Sequence, residues 1–240
     1  KGASWERLIG TTADGIKIKP LYRESDIHTA DDVSGFPGVA PFVRVRSCDD
    51  PDTSLLLDVG VTGIVFPDVN TAAEARRAVD RSKYPPIGKR SVAGGWPIFD
   101  YRPVPLADAV RTLNEVTLVA CMIETRQGLA NVEEIAAVDG VDVIHVGSND
   151  LLVDMGKPGK FGDPEIVAAV DRVIAAAAAH GKIAGLGGER DAERQAAFIR
   201  KGVRFVTTQT DVGFLMAGAS ARTAELRRAL EGPVPAPRRG

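Results

Sequence analysis

Two carboxylates stand where they can do chemistry. Glu124 closes the apolar run 116–123, and Asp150 follows the apolar run 141–147. Each run is short, rich in β-branched residues and bounded by turn formers, so each reads as a strand. If the two strands are neighbours, a spacing of ~5 Å lets both acids reach one divalent cation. The competing reading is that each acid caps the turn from a strand into a helix, where acidic residues are common. On these two residues alone both readings stay open.

The elements that must position the pair can be read from the residues between them. Asn131 is expected to cap a helix with Glu134 reaching back to it, and Gly140 is placed to end that helix. A strand, a helix and a strand of this length make a right-handed crossover. The strands then run parallel, and both acids emerge at the same edge of one sheet.

The same alternation continues on either side. Residues 41–45, 63–67, 182–186 and 204–208 read as further strands. Helices are expected over 50–60, from the Thr71–Glu74 capping box through Val79, over 165–181, over 191–201 and over 212–230. No glycine-rich dinucleotide fingerprint follows any strand, so a closed (β/α)8 TIM-type barrel is favoured over an open doubly wound sheet. Arg44, Asp68, Glu124, Asp150 and Thr208 all follow strands, and in a barrel those ends form one mouth. The loop 84–95 is rich in proline and glycine and reads equally as a ligand loop or a plain connection.

Residues 1–40 differ, with one alternating stretch, Gly15 to Tyr22, among charged and turn-forming residues. They read as an extended N-terminal arm, 41–232 as the barrel and 233–240 as a loose tail. Lys17, Lys19 and Pro20 suit a half-exposed edge better than an enclosed barrel strand, so the first strand of the barrel is expected to be atypical or incomplete. With 44% hydrophobic residues the chain can bury a core, and 30 basic against 32 acidic residues argue against nucleic acid or an anionic membrane as partner. Cys48 and Cys121 lie in or beside strands and suit buried thiols in a reducing compartment; no membrane span or signal peptide is read, and the expected location is cytoplasmic.

From Pro41 to about Leu230 the sequence resembles the HpcH/HpaI aldolase family, metal-dependent lyases of 2-oxo acids related to the citrate lyase β-subunit. The resemblance is carried by PFVRVRS, LLDVGVTGIVFPDVNTAAEARRAV, KYPPIGKRS, MIETRQGLANVEEIAAVDGVD, HVGSNDLLVDMG and GVRFVTTQTDVGFL. It implies that Glu124 and Asp150 bind a divalent metal (Mg²⁺, Mn²⁺ or Co²⁺), that Arg44 contacts substrate oxygens, and that Asp58 positions the site at a subunit boundary. Backbone around Gly147, Ser148 and Asn149 is expected to hold a substrate carboxylate. A small 2-oxo acid and an aldehyde are the implied substrates, and exchanged C-terminal helices imply a homo-oligomer, a trimer or hexamer. Two alternatives accompany this reading: a CoA-thioester lyase of the citrate lyase β type, with Lys89 and Arg90 as its nearest cations, and a non-catalytic barrel that has lost its base.

The sequence departs from the family at two places. Many members carry glutamine where this chain has Met122, and a thioether donates no hydrogen bond to substrate. Members also begin with a strand ending in an acidic–histidine pair that supplies the base, and no such strand precedes Pro41. Instead, residues 1–45 resemble the N-terminal arm of cobalamin-dependent acyl-CoA mutase large subunits, without a cobalamin motif. His28 is the histidine nearest the missing base in sequence. His145 reads as a core residue within its strand, and His180 as the end of a helix.

Overall fold

The computed structural model describes residues 10–11, 17–18 and 41–231. Two short strands, β1 (Gly10–Thr11) and β2 (Lys17–Ile18), pair antiparallel with each other. They fall in the expected arm, and β2 lies within the alternating stretch; the rest of that stretch and His28 lie outside the described residues.

A second sheet holds six parallel strands in chain order: β3 (Phe42–Arg44), β4 (Gly63–Phe66), β5 (Leu118–Ile123), β6 (Val143–Gly147), β7 (Ile183–Gly187) and β8 (Val203–Val206). Laid flat, six strands would put the outer two ~24 Å apart. Yet the rings of Phe42 on β3 and Phe205 on β8 lie 5.2 Å apart between centroids. The sheet therefore curls on itself as the wall of a TIM-type barrel does. Six of the expected eight strands are present in it among the described residues, which leaves β3 and β8 as its edges.

The helices that cover the outside are α1 (Thr53–Asp58), α2 (Ala72–Ser82), α3 (Leu106–Val116), α4 (Arg126–Ala130), α5 (Val132–Ala136), α6 (Ser148–Asp154), α7 (Pro164–Ala179), α8 (Ala192–Lys201) and α9 (Asp211–Leu230). Local chemistry sets most of their starts. The capping box of α2 is formed, with Thr71 Oγ1 accepting from Glu74 N at 3.2 Å and Glu74 Oε2 accepting from Thr71 N at 2.9 Å. Asp163 caps α7 ahead of Pro164 at its first position, and Asp191 caps α8. Small residues then let α7 settle closely on the sheet, where Ala169, Ala176 and Ala177 are buried.

Three expectations are corrected. The helix between β5 and β6 starts earlier than expected, because Thr125 caps it, accepting from Gly128 N at 3.0 Å, and it breaks into α4 and α5 at Asn131. Asn131 makes no cap bond; its side-chain amide instead donates to Asn70 O at 2.7 Å. Helix α3, which starts after Pro105 with no capping side chain, was not expected, and Val116 belongs to α3 rather than to β5. Helix α2 also runs on to Ser82, three residues past Val79.

One core runs between sheet and helices, from Val45 and Leu57 through Ile64, Ile123, Ile144 and Leu186 to Val203. Strand β6 is buried on both faces, as befits a central parallel strand. Both cysteines are buried free thiols, and burial pushes Cys48 up to about 11. Helix α9 is the exception to this packing: none of its residues is buried, and Phe214, Leu215 and Met216 face outward.

Candidate active site

Strands β5 and β6 are hydrogen-bonded neighbours, with Met122 opposite His145 and Ile123 opposite Val146. One step further on, Glu124 comes level with Gly147. The Glu124 side chain lies across that glycine: a Cβ added to Gly147 would sit 2.6 Å from both Cγ and Oε1 of Glu124. Any other residue at 147 would push the carboxylate aside.

Glu124 is 4% exposed and accepts a hydrogen bond from the Asp68 backbone N–H at 2.9 Å. Asp68 reaches this position from the loop after β4 with a left-handed backbone, φ 51°. Asp150, in the first turn of α6, is exposed and brings its carboxyl within hydrogen-bonding reach of Glu124. Burial, then the charges of Asp68 and Asp150, raise the Glu124 pKa above the usual carboxylate range, against the opposing Asp68 amide. Two converging carboxylates, one of them dry, are what a divalent cation would relieve. Among the described residues no group of three or more His, Cys, Asp or Glu could hold a metal. A metal here would thus take its remaining positions from water and substrate, which suits an octahedral, oxygen-seeking ion.

The pair opens onto a cavity of ≈ 380 Å³ at the C-terminal ends of the strands. Arg44, Met122, Gly147, Ser148 and Asn149 line it as expected, together with Glu124 and Asp150. Arg44 is exposed and has no ion-pair partner among the described residues. The loops around the mouth are bolted together: Arg126 N donates to Asp154 Oδ2 at 2.7 Å, and Arg126 Nη2 to Met155 O at 2.9 Å.

Asp58 is not brought to this cavity. It ends α1, which runs back from the mouth, and its carboxylate takes Arg90 Nη2. The loop 84–95 lies with it: Arg90 is buried and stacks over Tyr84 at 4.6 Å, while Lys89 Nζ is 2.6 Å from Asp80. No residue of that loop lines the mouth.

The sequence reading missed Phe42, His145, Phe205 and Thr207, which also line the cavity. Thr207, rather than the expected Thr208, faces inward. His145 was readable in principle, because it stands two residues before Gly147 and so shares its face of the strand. Burial pulls its pKa down to about 4, which leaves the imidazole neutral at physiological pH.

A family model described as HpcH/HpaI aldolase/citrate lyase matches residues 24–217. The chain belongs to the HpcH/HpaI aldolase/citrate lyase family. The match begins at residue 24, ahead of the expected start at Pro41. Among HpcH/HpaI relatives, the 4-hydroxy-4-methyl-2-oxoglutarate aldolase tasA of Hapsidospora irregularis is 41% identical over 187 residues, covering 76% of this chain and 69% of that protein. The hydroxypyruvate/pyruvate aldolase of Delftia acidovorans is 37% identical, covering 78% and 69%. The crystal structure of an HpcH/HpaI aldolase from Desulfitobacterium hafniense superposes with a TM-score of 0.71 at 29% identity, covering 83% of this chain and 74% of that one. The chain is thus a carbon–carbon lyase of the 2-oxo acid aldolase type, on a parallel sheet curled like those of its HpcH/HpaI neighbours.

Proposed function

We propose that Glu124 and Asp150 hold a divalent metal ion, and that Arg44 meets the oxygen on which charge develops when a bond beside a small 2-oxo acid is made or broken with an aldehyde. The observation that carries this reading is the convergence of a buried and an exposed carboxylate at the open end of a curled parallel sheet. A bound Mg²⁺, Mn²⁺ or Co²⁺ would supply a Lewis acid for the charge of an enolate. Arg44 would add a planar, permanently charged donor to the same oxygen. Ser148 and Asn149 would offer backbone N–H groups to the substrate carboxylate at the turn into α6. Phe42, Val65, Met122 and Phe205 form an apolar inner wall that keeps water from the reacting carbon. Met122 packs and donates nothing.

Asp58, held at the other end of its helix by Arg90, would act across a subunit boundary on a neighbouring copy's site. The exposed apolar residues of α9 support the homo-oligomer, a trimer or hexamer, that this requires. A cytoplasmic location goes with the reading, since the free thiols of Cys48 and Cys121 suit a reducing compartment. The CoA-ester alternative has less support, because Lys89 and Arg90 are already engaged by Asp80 and Asp58. The likeness of residues 1–45 to a mutase arm adds no chemistry to the site.

The test is exchange of the C3 protons of pyruvate for deuterium, followed by NMR with and without Mn²⁺ and without an aldehyde. Exchange that needs Mn²⁺ and vanishes in Glu124→Gln is expected. Absence of exchange by the wild type with Mn²⁺ would favour a non-catalytic barrel. Exchange confined to CoA thioesters would move the protein to the lyase of the citrate type.

A further inference from the structure

The inner wall of the cavity carries two polar side chains that the proposed chemistry does not use, Thr207 toward the mouth and His145 below it. His145 stands two residues deeper on β6 than Gly147, or ~7 Å along the strand. It sits beside Met122 on β5, and Phe205 meets its ring edge-on at 5.4 Å. It is 3% exposed, and Nδ1 has no hydrogen-bond partner.

Two glycines on β7 make room for the ring and fix its direction. A Cβ at Gly185 would lie 2.5 Å from Nδ1, and a Cβ at Gly187 would lie 2.7 Å from Nε2. Gly187 is the nearer of the two to the mouth, so Nε2 points toward the cavity opening and Nδ1 toward the interior. A buried N–H with no acceptor is tolerated less well than a buried lone pair. The proton of the neutral ring therefore belongs on Nε2, as a donor facing the cavity.

Around the ring Phe42, Val65 and Phe205 offer it no side-chain hydrogen bond and the Met122 thioether only a weak acceptor, while the Thr207 hydroxyl, 3.5 Å from the place a Cβ would take at Gly187, is not hydrogen-bonded to it. The groups at the mouth account for the carboxylate and keto oxygens of a bound 2-oxo acid. What remains of a three-carbon donor is C3. A methyl group there would leave Nε2 without a partner, whereas a hydroxyl would satisfy it.

We infer that His145 is a specificity residue whose Nε2–H donates to a hydroxyl oxygen on C3 of the bound 2-oxo acid, so that the site favours a 3-hydroxylated donor over pyruvate. The inference rests on the aldolase reading and deepens it. A site built to bond a substrate hydroxyl discriminates against the analogue that lacks it, because its own polar group is then stranded.

The test compares 3-hydroxypyruvate with pyruvate on the full chain in Mn²⁺, using kcat/KM with one common aldehyde and the rise in Tm that each donor gives. Mn²⁺ affinity is followed separately by electron paramagnetic resonance. The wild type should prefer 3-hydroxypyruvate in both measurements. His145→Phe, which keeps a ring, should lose about tenfold to a hundredfold in kcat/KM for 3-hydroxypyruvate and much of its Tm rise, with little change for pyruvate or Mn²⁺. His145→Gln, which keeps a donor, should recover part of the loss. Equal losses on the two donors, or a wild-type preference for pyruvate, would overturn the inference and leave the aldolase reading intact. A wild type that binds no Mn²⁺ and turns over neither donor would overturn both.

Discussion

Replacing Glu124 with glutamine should stabilise the metal-free protein at neutral pH and make it indifferent to Mn²⁺. In the folded state burial and the neighbouring acids raise the Glu124 pKa above its unfolded value. A carboxylate shifted this way contributes its full stability below the unfolded pKa and loses it as pH rises through the folded one. As pH rises the metal-free wild type loses that contribution, while the glutamine variant never carries the charge. The Asp68 amide bond to this side chain survives, because glutamine still offers a carbonyl oxygen. Mn²⁺ at a hundred times its Kd should stabilise the wild type by about 2.7 kcal/mol. In a domain of this size that is a rise in Tm of roughly 5–11 °C. Scanning calorimetry of both proteins with and without Mn²⁺ reads all four states. Gly147→Ala is the companion variant: its Cβ would displace the Glu124 side chain and should weaken Mn²⁺ binding although no ligand atom has changed. A glutamine variant that keeps the wild-type Mn²⁺ shift, or that melts below the wild type without metal at pH 7.5, would refute the reasoning.

Arg44→Lys should cost about a hundredfold in kcat/KM, since an ammonium cannot copy the planar fork, and should leave Tm unchanged; steady-state kinetics at wild-type rate would reduce Arg44 to a surface cation. His145 is held at a pKa of about 4 by burial, so its stability contribution is full above about 6.5 and is lost as pH falls toward 4, in total about 3 kcal/mol. Urea unfolding at pH 7.5 and 5 should therefore show a steeper decline for the wild type than for His145→Phe. Light scattering should find an oligomer that Leu215→Ser and Met216→Ser together weaken, and a monomeric wild type at micromolar concentration would count against a docked α9. His28→Ala should leave pyruvate proton exchange unchanged; its loss would make His28 the base.

The central unit was legible because its signals are local. Two β-branched runs, turn residues at their ends and a crossover of ordinary length suffice to place Glu124 and Asp150 just beyond the ends of adjacent parallel strands. Where tertiary contacts outbid local propensity the reading failed: Asn131 looks like a cap, but the Asn70 carbonyl claims its side chain. Helix α3 has no capping side chain, yet Leu106, Ala109, Val110 and Leu113 recur at helical spacing with Asp108 in the first turn, so its signal was present and was passed over. The misreading of Thr208 for Thr207 has a different origin. The pairing of β7 with β8 slips between Ala184 and Gly185, which sets Ala184 against Val203 but Gly185 against Phe205. An extra residue in one strand changes which side chains face inward, and no residue type marks the slip. His145 was read as core, which its burial bears out, but its place on the cavity wall depends on glycines in another strand.

That dependence ties distant positions together over evolutionary time. The imidazole at 145 occupies space that a single methyl at 185 or 187 would take away. A ring at 145 and bare backbone at 185 and 187 must be inherited as a set, and neither strand can drift alone. Relatives that carry alanine or anything larger at the position of Gly185 should have a small side chain opposite it. They should then line this part of the cavity with something other than a nitrogen donor, so that donor preference within the family tracks a residue that never touches the substrate.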